Sequence, residues 1–221
     1  MNELENAIDV VDNNDDGVID SIITRTVTEF IDDDIASVGK SAFRGCTALT
    51  KVVLPSCIKL DGEYYMGGYN FAGCTNLQFV SLNSLKTAST FAFNGAGTTA
   101  LDQDGKPRLE IYLPSVSTLS AAAFFGAKVK IIDTRALSSI DANCFQGGEV
   151  THLVLRNNRV CNVTTPAYLG NVSNVYVPSA FVAEYEASDK WEECRGRFLA
   201  IEDFTVDGSI DGAFDFNKAP N

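Results

Sequence analysis

IASVGKSAFRGCTALTKVVLP, residues 35–55, is the stretch that decides the fold. It holds an apolar pair (Ile35, Val38), the phrase SAFRGC, and an alternating run, LTKVVLP, that ends in proline. The phrase recurs as YNFAGC (69–74), FAFNGA (91–96), AAFFGA (122–127) and NCFQGG (143–148). Its phenylalanines, Phe43, Phe71, Phe93, Phe124 and Phe145, are spaced by 28, 22, 31 and 21 residues. The period is about 22 once insertions at 61–69 and 97–108 are set aside, which marks a stacked-coil repeat.

After each phenylalanine comes a short alternating run: LTKVVLP (49–55), LQFVSL (77–82), RLEIYLP (108–114), KVKII (128–132) and THLVL (151–155), with SNVYVP (173–178) as a sixth. Alternation of this kind predicts a strand with one buried face. Each coil thus supplies a strand, a turn, an apolar back segment and a phenylalanine for the interior. No single coil can bury these residues, and stacking joins them into one core. The glycine after each phenylalanine permits the turn, and the small residue after it leaves room for close stacking.

At these residues the sequence resembles the BspA-like leucine-rich repeat family, whose pattern pairs a strand ending in proline with I-x-x-I-G-x-x-A-F-x-G-C-x-x-L. Residues 35–55 match it almost position for position, and the resemblance extends over roughly residues 25–204. Repeat 4 departs most: two residues are missing after Ala127, and Asp133 falls where an apolar residue is expected. The resemblance implies an α/β leucine-rich-repeat solenoid, mostly β, with right-handed coils, a parallel strand face and helical caps at the ends. The expected organisation is an acidic N-terminal cap (1–34), about six coils (35–178), a C-terminal helical cap (179–204) and a flexible tail (205–221). Leu4, Ile8 and Val11 have helical spacing in the first cap; Phe181, Tyr185 and Trp191 do so in the second. Members of the family are commonly bacterial surface adhesins, and short ones with this closing segment look like prophage tail-region proteins.

The 221 residues are 45% apolar, which excludes a fully disordered chain, and the net charge of −12 excludes a basic nucleic-acid binder. The charge is unevenly placed. Residues 1–34 carry −10, residues 35–174 carry +4, and residues 175–221 carry −6. No membrane-spanning run and no signal peptide are read in this chain, which leaves the compartment open between a cell surface and a virion. The six cysteines (46, 57, 74, 144, 161, 194) form no metal-ligand spacing, and they read as buried repeat-position thiols.

Three features bear on chemistry. Asp12, Asn14, Asp16, Val18 and Asp20 fit the first nine positions of an EF-hand or dockerin-like calcium loop, but position twelve is Ile23. Weak calcium binding is therefore the most the loop predicts, and no other cofactor is expected. His152, the single histidine, is expected on an exposed strand face, which leaves no Ser/His/Asp or Cys/His site to assemble without it. A glycosidase needs paired carboxylates, and the candidates are Asp133, Asp141 and Glu149 if they share a cleft.

Aligned strands give two outward columns. One is Lys51, Phe79, Glu110, Lys130, His152 and Asn174; the other is Val53, Ser81, Tyr112, Ile132, Val154 and Tyr176. Their aromatic and apolar content predicts a contact strip for a protein or glycan surface ligand. The insertion adds Tyr64, Tyr65, Met66 and Tyr69 beside glycines, a composition like that of binding loops. The expected function is noncatalytic macromolecular recognition, adhesin-like or at a phage or host surface. A carbohydrate-active enzyme and a weak calcium-binding structural protein are the alternatives.

Overall fold

The computed structural model describes residues 27–62 and 67–220, together with the backbone of 10–11, 18–19 and 21–22. Its main sheet has eight strands, all parallel to their neighbours. Near the N-terminus, β1 (Val10–Val11) pairs antiparallel with β3 (Ser21–Ile22), and β2 (Val18–Ile19) pairs parallel with β5 (Ser37–Val38). The eight main strands are β4 (Glu29–Ile31), β6 (Lys51–Val53), β8 (Phe79–Ser81), β10 (Glu110–Tyr112), β12 (Lys128–Thr134), β14 (Glu149–Leu155), β16 (Val172–Val177) and β17 (Phe198–Ala200). The back segments form two narrower sheets. In one, β5 sits between β2 and β7 (Lys59–Leu60); the other stacks β9 (Thr87–Ala88), β11 (Thr118–Leu119), β13 (Ser139–Ile140) and β15 (Asn162–Val163).

The phenylalanines form a ladder between the sheets. Phe43, Phe71, Phe93, Phe124 and Phe145 are fully buried, and successive rings stack at 5.1, 5.3, 5.0 and 6.0 Å between centroids. Phe30 closes the N-terminal end, edge-on to Phe43 at 5.1 Å. Each ring is presented by the same turn, whose amides also bond from coil to coil: Phe43 N–H donates to Asn70 O, and Gly45 N–H to Ala72 O. The turn glycines, such as Gly95 at φ +64°, are left-handed, yet a Cβ there would meet nothing within 4 Å. Glycine is needed there for its backbone freedom and not for space. Gly148 is the opposite case, because a Cβ would lie 2.9 Å from Ala127 O.

A second left-handed residue precedes each ring by two positions: Ser41, Tyr69, Phe91, Ala122 and Asn143 have φ between 50° and 61°. All six cysteines are buried, as expected. Cys74 Sγ donates to Phe43 O at 3.0 Å, and burial pushes the Cys161 and Cys194 thiols up to about 12.

Four expectations need correction. Val10 and Val11 are strand and not helix, because pairing with Ser21–Ile22 suits β-branched valine better than an unsupported helix would. Leu4 and Ile8 lie outside the described residues. At the far end the cap contains one α-helix among the described residues, α1 (Val182–Ala187), set between 3₁₀ turns at Ser179–Phe181 and Asp189–Cys194. Tyr185 and Trp191 are buried there, and they bond the last coil through Cys161: its N–H donates to Tyr185 Oη (2.9 Å), and its carbonyl accepts from Trp191 Nε1 (2.8 Å).

The third correction concerns β12. Ile131, not Lys130, pairs beside Glu110, and Asp133, not Ile132, pairs beside Tyr112. Val129 and Ile132 both enter the core with two residues between them, which breaks the period of two. The same break recurs between Val150 and Leu153 and between Val172 and Val175. The fourth concerns residues 205–220, which fold back onto the main sheet instead of trailing as a tail.

These packing relations set an order of cost. Phe93→Ala should destabilise by about 3–5 kcal/mol through the cavity it opens. Gly95→Ala should cost only about 1–2 kcal/mol, the left-handed penalty alone. Urea unfolding of both variants measures the two costs; equal costs would contradict the ladder's role.

Candidate binding face

The outward face of the main sheet carries both columns, and it is divided in two. On β4 to β10 it is open: Ile31 is 40% exposed, and Lys51, Val53, Phe79, Ser81, Glu110 and Tyr112 are half-buried. Phe79 and Tyr112 sit with centroids 5.5 Å apart. Lys51 faces Glu29 at 3.8 Å, and Lys130 Nζ reaches Glu110 Oε1 at 2.7 Å. Tyr112 donates its hydroxyl hydrogen to the same Glu110 carboxylate at 3.2 Å. Burial, and then the Glu110 charge, push the Tyr112 phenol above its ordinary value.

On β12 to β16 the face is covered. Ile131, Val154 and Tyr176 are fully buried in a second apolar cluster with Ile201, against which Leu199, Phe204, Phe214 and Phe216 pack. The cover is residues 205–220, closed on itself by a bridge between Thr205 and Phe214. Beneath it lies a buried ion pair: Arg156 Nε and Nη2 donate to Asp133 Oδ1 and Oδ2, each at 2.7 Å. Arg156 Nη1 donates onward to the carbonyls of Gly212 (2.9 Å) and Ile210. Arg135 pairs with Asp211, and Lys130 Nζ stands 3.5 Å from the Phe216 ring centre. The acidic C-terminal segment is thus folded onto basic residues of the solenoid body.

The twelve strand-face residues expected as one strip therefore separate. Lys51, Val53, Phe79, Ser81, Glu110 and Tyr112 share the open half, Lys130 stands at the boundary between Glu110 and Phe216, and Ile132 lies in the core. His152, Val154 and Tyr176 are covered, and half-buried Asn174 beside them donates to Thr151 O at 3.4 Å. His152 is 5% exposed and not the surface histidine expected. Its Nδ1 shares a hydrogen bond with the Tyr176 hydroxyl at 3.0 Å, and its ring meets Phe214 at 5.6 Å. Nothing in the Gly/Asp-rich composition of 205–221 points to this cover, although Phe214 and Phe216, two apart, offer an alternating apolar signal.

The other candidates fall elsewhere. Tyr69 lies on the turn edge, stacked on Phe91 at 5.0 Å, with the Arg44 guanidinium 5.1 Å above its ring. Tyr64, Tyr65 and Met66 are outside the described residues, as are Asp12, Asn14, Asp16 and Asp20 of the calcium-like loop; Val18 lies in strand β2. Among the described residues no group of three or more His, Cys, Asp or Glu side chains is placed to hold a metal. Asp133 is held by Arg156 on the main sheet, Asp141 follows β13 on the back, and Glu149 opens β14. The insertion at 97–108 turns at Asp104–Gly105, with Leu101 bridged antiparallel to Pro107 as a hairpin.

Residues 36–105 match the model of the BspA type leucine rich repeat region, in six copies. Those residues carry BspA-type leucine-rich repeats. Comparison with curated proteins gives no match. The same coil geometry continues through Phe124 and Phe145, beyond the matched residues. Leucine-rich repeats generally mediate protein binding, and the family is typically noncatalytic. No helix among the described residues is long and apolar enough to cross a membrane.

Burial, and then the charge of Lys130, lower the His152 pKa to about 4. Between about 6.5 and 4 the unfolded chain takes up a proton that the folded chain refuses, so stability falls as pH drops through that window. The loss reaches at most about 3 kcal/mol. His152→Phe should remove this component; urea titrations at several pH values compare the two proteins, and identical pH profiles would contradict it.

Proposed function

We propose that this is a noncatalytic recognition protein that docks a partner, at a cell or virion surface, on the open half of its strand face. One observation carries the reading: a half-buried aromatic pair, Phe79 and Tyr112, flanked by Lys51 on one side and the Glu110–Lys130 pair on the other. Aromatic residues in a preformed apolar patch with a charged rim are the usual anchors of protein interfaces. The three-residue strands hold these side chains on a rigid repeat scaffold, so little ordering entropy opposes docking. The partner fitting this surface best is a protein, the ligand class leucine-rich repeats generally take. Adhesin-like and phage–host settings share this physical role.

The carbohydrate-active reading has less to stand on. A glycosidase needs two carboxylates free to exchange protons or attack. Glu29, Glu110 and Asp133, the acids paired on this face, are each set against a cation. The calcium-like loop at Asp12–Asp20 lies away from the aromatic pair in sequence.

The test compares the immobilised wild type with a Lys51→Glu, Phe79→Ala, Tyr112→Ala variant whose fold is checked by circular dichroism. Both are offered host membrane-protein extracts and purified virions. Proteins retained by the wild type should bind the variant at least about tenfold more weakly. Retention of the same proteins at the same strength by both would overturn the reading.

A further inference from the structure

The covered half of the strand face has an occupant from the same chain. Its occupant, residues 205–220, is held by side chains that read its chemistry. Phe214 packs edge-on against Tyr176 at 4.9 Å, and Phe216 lies under Lys130 and beside His152. Upstream, Arg156 takes two backbone carbonyls and Arg135 takes the Asp211 carboxylate. The pattern recognised is an acidic segment, folded back on itself at the Thr205–Phe214 bridge, with two aromatic rings at alternate positions.

The hold is uneven. Residues 206–211 are exposed, with Val206 at 67%, and the one bridge of the segment, Thr205 to Phe214, is internal, so no strand ladder ties it to the main sheet. The hold on the sheet is concentrated in Phe214, Phe216 and the Arg156 bonds, so opening starts at the exposed 206–211 turn, where apolar contacts are few. Clefts of about 480 Å³ border it on both sides, one reaching Ser81 and Tyr112 and the other reaching Glu110 and Arg108. The Asp133–Arg156 pair joins two coils independently of the cover, so its mutual bonds survive removal of the segment.

We infer that the β12–β16 half of the strand face is a second protein-binding site, for an acidic partner segment with aromatic residues two apart, and that residues 205–220 are its displaceable intramolecular occupant. Opening the segment would join Ile131, Val154 and Tyr176 to the Phe79–Tyr112 patch as one continuous face. The inference is separate from the reading of the open half, whose side chains are unaltered in the variants that test it.

The probe is a labelled peptide of residues 205–221, offered to full-length protein and read by fluorescence polarisation. A Phe214→Ala, Phe216→Ala double variant, with its cover weakened, should bind the peptide at least about tenfold more tightly than the wild type. A peptide carrying the same two alanines should not bind. If the folded double variant ignores the peptide at about 1 mM, or binds both peptides alike, the inference is overturned. A second protein guards against misfolding: a protease site set into the exposed Asp207–Ser209 turn is cut in the folded full chain. The severed segment should exchange for labelled peptide, and its retention under excess peptide would equally overturn the inference.

Discussion

Each coil depends on one backbone constraint: the ring-bearing turn must leave the helical and extended regions twice within five residues. The glycine two after the phenylalanine meets this constraint without strain, since glycine adopts positive φ as readily as negative. The residue two before it does not, and there the chain accepts serine, tyrosine, phenylalanine, alanine and asparagine at φ near +55°. Each non-glycine residue held this way costs about 1–2 kcal/mol. The stacked rings offset that cost, since each fully buried phenylalanine is worth about 1.5–3 kcal/mol of apolar transfer and gains stacking against the next ring of the ladder. The turn amides donate from coil to coil, so the ladder and the hydrogen bonds fix the same spacing.

That spacing lays out the strand face, and the chain then covers half of it with its own C-terminal segment. The acidic segment lies on the basic residues Lys130, Arg135 and Arg156, so part of the segregation of charge along the sequence is resolved within the molecule. A buried ion pair such as Asp133–Arg156 is weak evidence for stability, because desolvation opposes its Coulomb gain. Its value here is positional. Arg156 uses its Nε and Nη2 to grip the neighbouring coil and its Nη1 to grip the cover. The surface left for an external partner is smaller than the columns of the sequence imply, and more concentrated around Phe79 and Tyr112.

The repeat was legible because its signal is local. Ring, glycine and small residue lie within four positions, and alternation around Val52, Val80 and Ile111 marks the strands correctly. The β12 register was not, since it turns on the two residues missing after Ala127 and on which of Ile131 and Ile132 the core accepts. That choice is made by Ile111 and Leu153 on neighbouring strands, not by β12 itself. The cover was illegible for a different reason. Its glycines and aspartates read as a mobile segment, and the partners that order it, Tyr176, His152 and Arg156, come from strands far back in the chain.

The division of the face into an open and a covered half is most directly read by covalent labelling of the native protein, because each half offers its own reporter. His152 is the single histidine, so diethyl pyrocarbonate modification followed by mass spectrometry reports on one covered ring without ambiguity. Oxidative footprinting of Phe79 in the same sample reports on the open half. The account predicts ready oxidation of Phe79 with His152 protected until the protein is unfolded. Rapid modification of native His152, at the rate of an unfolded control, would contradict it.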